Sequence, residues 1–184
     1  MTTLEIMGQK AKEVARVLAT AGALKDKALI SIADALIENT DYILEENKKD
    51  LERGKEAGLT NALLDRLALS PERIKGMADG ARQVAALPDP VGKVISGGKL
   101  KNGLEVTKVT VPLGVIGIIY EARPNVTADS AVLCLKSGNA VILRGGKEAI
   151  NSNMAVASVM RKAIEIAGLP ADCVQLIEDT TRQS

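Results

Sequence analysis

Apolar residues recur at helical spacing through the first half of the chain and gather into short runs through the second. Leu4, Met7, Val14, Val17 and Leu18 share one face of a helix predicted over 4–19. Leu24, Ala28, Leu29, Ile32, Ala35 and Leu36 share one face of a second over 24–37. Charged residues fill the opposite faces, the pattern of helices packed on a common core. Thr40 or Asp41 can cap a third helix running through EENKKDLERGKEA to about Ala57. At Ser70-Pro71 the serine caps and the proline occupies the first turn, so a helix is predicted from there to about Ala86, where LPDPVG stops it.

The period changes after Pro90. VGKVISGGKLKNGLEVTKVTV has the β-branched content of strands, broken at Gly97-Gly98 and at Asn102-Gly103. Asn-Gly is a tight-hairpin signal. Glu105, Thr107, Val109 and Val111 share one parity, an imperfect alternation that fits either a bulge or an arm with two similar faces. From Val115 the order reads strand, helix, strand, helix, strand. GVIGIIY is apolar on both faces, as in a parallel sheet covered on both sides. Val126 to Lys136 is helical, with Gly138 at the position of a left-handed cap. AVIL is the second strand. A long helix follows from Ile150 to Ala167, with Met154, Ala157, Met160, Ala163, Ile164 and Ala167 facing inward. Gly168 ends it, Pro170 prevents a restart, and CVQLI is the third strand. This order predicts an α/β fold: N-terminal helices, a β-hairpin arm, then a parallel βαβαβ sheet.

Composition narrows the chemistry. The 184 residues are 46% apolar, enough for one domain with a substantial core. Lys+Arg (24) nearly balance Asp+Glu (23), so net charge gives no reason to expect nucleic acid or an acidic membrane as a partner. With no Trp or Phe and only Tyr42 and Tyr120, stacking platforms for single strands are missing. No apolar run approaches the roughly 20 residues of a membrane span. MTTLEIMGQKAKEVARVLA lacks a secretory signal's apolar core and cleavage site, so cytoplasm is the expected compartment. The absence of histidine excludes histidine bases and histidine-ligated metals within this chain, and Cys134 and Cys173 suggest neither a disulfide framework nor a metal site.

In open parallel sheets, ligands sit outside the carboxyl ends of the strands. Glu121 to Asn125 and Arg144 to Lys147 both leave the sheet there. Glycines would allow close backbone approach, and helix N-termini beyond them favour anions. On these residues alone, a turn at Gly145-Gly146 with solvated Arg144 and Lys147 is the plainer account. Neither G-x-G-x-x-G nor G-x-x-x-x-G-K-[ST] is present.

VPLGVIGIIYEARPNVTADSAVLCLKSGNAVILRGGKEAINSN resembles the gamma-glutamyl phosphate reductase family, also called glutamate-5-semialdehyde dehydrogenase, within the aldehyde dehydrogenase superfamily. The resemblance extends to ALIENTDYILEENKKDLERGKEAGLTNALLDRLALSPERI and to the tail CVQLIEDTTRQS, and EARPNVT is specific to the reductases. It implies NADPH-dependent reduction of L-glutamyl 5-phosphate to L-glutamate 5-semialdehyde and phosphate, in proline biosynthesis. A cysteine thiolate would form a thioacyl enzyme that exchanges hydride with the nicotinamide. It also implies a homo-oligomer and glutamate 5-kinase as a partner.

Members of the family are longer, and their nucleophilic cysteine lies in a separate domain, expected here beyond Ser184. Cys134 and Cys173 read instead as buried structural cysteines. The chain is therefore expected to be an N-terminal part, inactive alone. Residues 1–90 would be the helical part of the cofactor domain and 91–112 an oligomerisation arm. Residues 113–184 would be the first half of a Rossmann-like NADP-binding sheet of the aldehyde dehydrogenase type.

By resemblance, Arg144 and Lys147 stand where the superfamily holds the adenine ribose. A cation in place of the carboxylate that often binds the 2'-hydroxyl favours NADP(H), with Gly145 and Gly146 allowing close approach. Asn125 is the candidate oxyanion donor and Arg123 the candidate substrate-binding residue. The other account is a turn held by Asn125 and Pro124, with Arg123 paired to Glu121. A non-catalytic nucleotide-binding or assembly module with the same partial fold is the alternative function.

Overall fold

The structure, a computed structural model, describes residues 1–181; the last three residues of the tail read above, 182–184, lie outside the described residues. Five helices come first: α1 (Thr3–Leu18), α2 (Ala23–Glu38), α3 (Thr40–Glu56), α4 (Asn61–Leu67) and α5 (Pro71–Ala85). A hairpin follows, β1 (Val94–Lys99) and β2 (Glu105–Val109). The remainder is β3 (Val115–Ile119), α6 (Pro124–Lys136), β4 (Ala140–Arg144), α7 (Ile150–Ala167) and β5 (Val174–Leu176). Short 3-10 turns at Lys147–Ala149 and Ala171–Cys173 lead into α7 and β5.

Local chemistry sets the helix ends. Thr2 and Glu5 form a reciprocal capping box on α1. Ser70 Oγ accepts from the Arg73 N–H, with Pro71 in the first turn of α5, as predicted. The cap of α3 is Asn39 and not Thr40 or Asp41, because the Thr40 hydroxyl turns back to the carbonyls of Leu36 and Ile37. α6 begins two residues before the predicted Val126, since Pro124 is itself a good first-turn residue. At its other end Gly138 (φ +76°) donates to Leu135 and Asn139 donates to Cys134, a Schellman closure. Among the described α-helices α4 is unforeseen, since its seven residues are too few to show a period; Thr60 caps it through the Leu63 N–H.

The hairpin connection is longer than a two-residue turn. Leu100 donates to Leu104, Gly103 donates back to Leu100, and Gly103 sits at φ +89°. That is a three-residue loop closed by a left-handed glycine. The register between Val94 and Ser96 slips by one, so the bulge lies in β1, and both strands are exposed on both faces.

β3, β4 and β5 pair in parallel, in that order. α1 packs on β4, as does α6, while α7 packs on β5; α6 and α7 pack in turn on α2, α3 and α5. β4 is buried on both faces. β3 is not: it is an edge strand, with Ile116 and Ile118 against the core and Val115 and Ile119 exposed, the latter by 80%. The two-sided cover expected for GVIGIIY is thus absent among the described residues. Of the residues predicted to face inward, Leu4, Val17 and Met154 lie at the rim of their stripes and stay partly exposed, whereas Val14, Leu18, Leu29, Ile32, Leu36, Met160 and Ile164 are buried.

Candidate functional site

Ile119 pairs with Arg144 across the sheet, and the Tyr120 N–H donates to the Arg144 carbonyl at 3.0 Å. The loops after β3 and β4 therefore leave the sheet side by side, at the ends where ligands of parallel sheets sit. Bare backbone is needed there. A Cβ on Gly145 would stand 2.1 Å from Asn153 Nδ2, and one on Gly146 would stand 2.7 Å from Glu148 Oε2 and 3.4 Å from the Ala122 nitrogen. What these absent side chains admit first is the approach of the two loops to each other and to α7.

A buried polar layer fixes the loops from beneath. The Tyr120 hydroxyl lies 2.6 Å from Thr127 Oγ1, which donates to Asn153 Oδ1 at 3.0 Å. Burial pushes the Tyr120 phenol up to about 12, with the Thr127 hydrogen bond opposing, so it stays neutral near pH 7. Asn153 Nδ2, pressed under Gly145, has no partner among the described residues. Alongside, the fully buried Asp50 carboxylate accepts from the Ser152 N–H (2.8 Å) and hydroxyl (2.6 Å), from the Asn151 side-chain amide (2.9 Å) and from Arg53 (2.8 Å). A carboxylate from α3 thus caps the N-terminus of α7. Asn47 extends the layer, donating to Leu67 and Ser152 and accepting from Leu69.

The predicted cofactor-binding residues form one rim above this layer. Arg144 is half-buried and donates to the Thr181 carbonyl at 2.5 Å. Lys147 is exposed, makes no ion pair among the described residues, and accepts at its carbonyl from Arg53 Nη2 at 2.9 Å. Arg53 thereby stands beside Lys147 in a groove that Gly54, Leu59 and Ile150 also line. Nothing in the sequence signals this, because Arg53 lies 94 residues before Lys147. Lys147, Glu148 and Arg53, the last already paired with Asp50, stand at the mouth of a partly apolar groove, a lining that fits a nicotinamide dinucleotide.

Arg123 and Asn125 line a second cavity, of about 450 Å³, between the start of α6 and the α4–α5 segment. Arg123 forms no ion pair with Glu121 among the described residues; only its N–H reaches the Glu121 carbonyl. Asn125 Nδ2 donates to Asp129 Oδ2 at 3.1 Å, one turn further along α6. Asp65, Arg66 and Arg73 face the same cavity, and no motif in the sequence marks them.

Both cysteines are buried in the core, Cys134 on α6 and Cys173 at the end of the turn before β5. Burial raises both thiols, Cys173 to about 12 with the nearby Asp172 charge adding to the effect. Neither has the exposure or the stabilised thiolate of a nucleophile. Among the described residues there is no cluster of metal-ligand type and no helix long and apolar enough to cross a membrane.

No protein-family model matches the chain. Individual proteins match closely. The chain is 54% identical over its full length to a gamma-glutamyl phosphate reductase of Bacillus mycoides and 57% identical over 95% of its length to one of Clostridium novyi. It spans 45% and 42% of those relatives, less than half. The crystal structure of gamma-glutamyl phosphate reductase from Thermotoga maritima superposes on 99% of the chain with a TM-score of 0.97 at 43% identity, the chain covering 44% of that protein. The Saccharomyces cerevisiae enzyme gives 0.90 at 38% identity, over 98% of this chain and 47% of that one. An acetylating aldehyde dehydrogenase of Geobacillus thermoglucosidasius shares the fold, with a TM-score of 0.72 at 19% identity over 97% of this chain and 37% of its own. Along its whole length the chain is thus similar to part of the gamma-glutamyl phosphate reductases, and its fold is of the aldehyde dehydrogenase type.

Proposed function

We propose that this chain is the N-terminal, cofactor-binding part of a cytoplasmic reductase that uses NADPH to convert L-glutamyl 5-phosphate to L-glutamate 5-semialdehyde and phosphate. The observation that carries the reading is identity above 50% to reductases of that name along the whole chain, with the strand-end loops among the matched residues.

NADPH, when bound, supplies the hydride. Lys147 and Arg53 attract its 2'-phosphate at the rim, and Arg144 lies beside them at the end of β4. The Gly145–Gly146 segment, packed on Asn153 and on the loop after β3, gives the cofactor a rigid backbone edge. Arg123 holds an anionic group of the substrate. Asn125, released from Asp129, donates to the acyl oxygen as it gains charge. The thiol that attacks the acyl group comes from outside the present residues, since neither cysteine here qualifies. The hairpin of residues 91–112 serves as an oligomerisation arm, because its strands are exposed on both faces among the described residues.

Binding of NADPH to the isolated chain tests the reading. The chain has no tryptophan, so nicotinamide fluorescence is read without interference. Saturable binding that protects the amides of 144–148 from exchange is expected. Absence of binding, together with absence of reductase turnover in a protein extended beyond Ser184, would overturn the reading and leave an assembly module.

A further inference from the structure

The cavity beside Arg123 is lined by charges of both signs. Arg73 is already committed: its guanidinium donates to the Asp65 carboxylate (3.0 Å) and to the carbonyls of Asp65 (2.5 Å) and Ala68 (2.6 Å). That leaves Arg66, on α4, and Arg123, before α6, without an ion pair or side-chain hydrogen bond among the described residues. The uncommitted carboxylate is Asp129, which among the described residues accepts only from the neutral amide of Asn125. Leu69, Met77 and Ala68 supply the apolar part of the lining.

We infer that this cavity binds the head of an α-amino acid, with Arg66 and Arg123 taking the α-carboxylate and Asp129 taking the α-ammonium. The inference rests on the reductase reading, and it adds a basis for choosing the free amino acid over an N-acylated one. A phosphate alone fits poorly, because Asp129 would repel it. A zwitterion satisfies both signs at once. Partial burial raises the Asp129 carboxyl, and the Asn125 bond offsets this only in part, so a cationic partner would stabilise the carboxylate. An N-acyl group would remove the ammonium and leave Asp129 unpaired, the kind of mismatch that polar sites reject strongly.

The test uses the 184-residue chain with saturating NADPH, titrated with L-glutamate, N-acetyl-L-glutamate or inorganic phosphate and followed by the side-chain N–H signals of arginine and asparagine. L-Glutamate should move the Arg66, Arg123 and Asn125 signals and bind about tenfold or more tightly than its N-acetyl derivative, the factor expected for one charge-assisted bond. Arg66→Gln and Arg123→Gln should weaken both ligands alike. Asp129→Asn, nearly isosteric, should abolish the preference while circular dichroism stays unchanged. Equal binding of the two amino acids, a preference that survives in Asp129→Asn, or phosphate displacing glutamate would each overturn the assignment. No glutamate response in a chain that still binds NADPH would also overturn it and leave the reductase reading standing.

Discussion

Gly145 shows how one missing atom can hold a site in shape. Its neighbour Asn153 Nδ2 occupies the place of a Cβ, at 2.1 Å, and Asn153 is itself fixed by Thr127 and Tyr120. Gly145→Ala must push the amide or lift the loop, and overpacking of this kind costs about 1–3 kcal/mol. Urea denaturation should show that loss, with Gly8→Ala, where a Cβ meets nothing within 4 Å, as the neutral control. Lys147 acts through charge. Lys147→Glu should weaken NADPH relative to NADH by about tenfold or more, because a charge-assisted bond to the 2'-phosphate gives way to repulsion between two anions. An unchanged ratio of the two dissociation constants would remove Lys147 from the cofactor rim. Residues such as these were legible because turn glycines and cations after a strand form a local pattern. Arg53, Asp50, Arg66 and Asp129 were not, because what qualifies them is contact with residues up to 102 positions away.

At the scale of elements, two charged ties join segments that the sheet alone would not. The first is Asp50, which closes the N-terminus of α7 from α3. Asp50→Ala would leave the Ser152 N–H and hydroxyl buried without an acceptor, a loss of about 2–4 kcal/mol. A shortfall below about 1 kcal/mol in chemical denaturation would mean that water replaces the carboxylate. The second tie anchors the base of the hairpin. Lys25, 1% exposed, donates to Asp89 at 2.9 Å, and Asp89 also accepts from the Val91 N–H. Burial alone would raise the Asp89 carboxyl, but the Lys25 and Val91 hydrogen bonds outweigh it and hold it below its usual value. A depressed carboxylate contributes stability that is present above its unfolded pKa and lost as pH falls through the folded one. Melting temperature should therefore fall on acidification below about pH 4, and fall less steeply in Asp89→Asn. Element type and order followed from periodicity and caps. α6 and α7 were placed to within two residues because Pro124, Gly138 and Gly168 punctuate them. α4 shows no period because seven residues span only two turns, and Asn-Gly does not fix the loop length because it also suits the longer loop in which Gly103 alone is left-handed.

The molecule as a whole leaves apolar surface open in one region. Val115 and Ile119 on β3, Val111 and Leu113 before it, and Val94, Val106 and Val109 on the hairpin are all more than a third exposed. β3 also has no strand on its outer side among the described residues, so its backbone N–H and C=O groups are available to another chain. Isolated exposed hydrophobics are ordinary, but a run of them beside an unpaired edge is the arrangement that associates. The sequence suggested strands but could not reveal this, since cover for β3 depends on what packs beside it and not on its own residues. The isolated chain should therefore self-associate, with sedimentation and melting that depend on concentration, and it should show no reductase turnover because both of its thiols are buried. Placing lysine at Val115 and Ile119 should disrupt that association while leaving the helical core intact, since both side chains already face outward. A sharp, concentration-independent melt of the unaltered chain as a monomer would show instead that the β3 edge is protected as it stands.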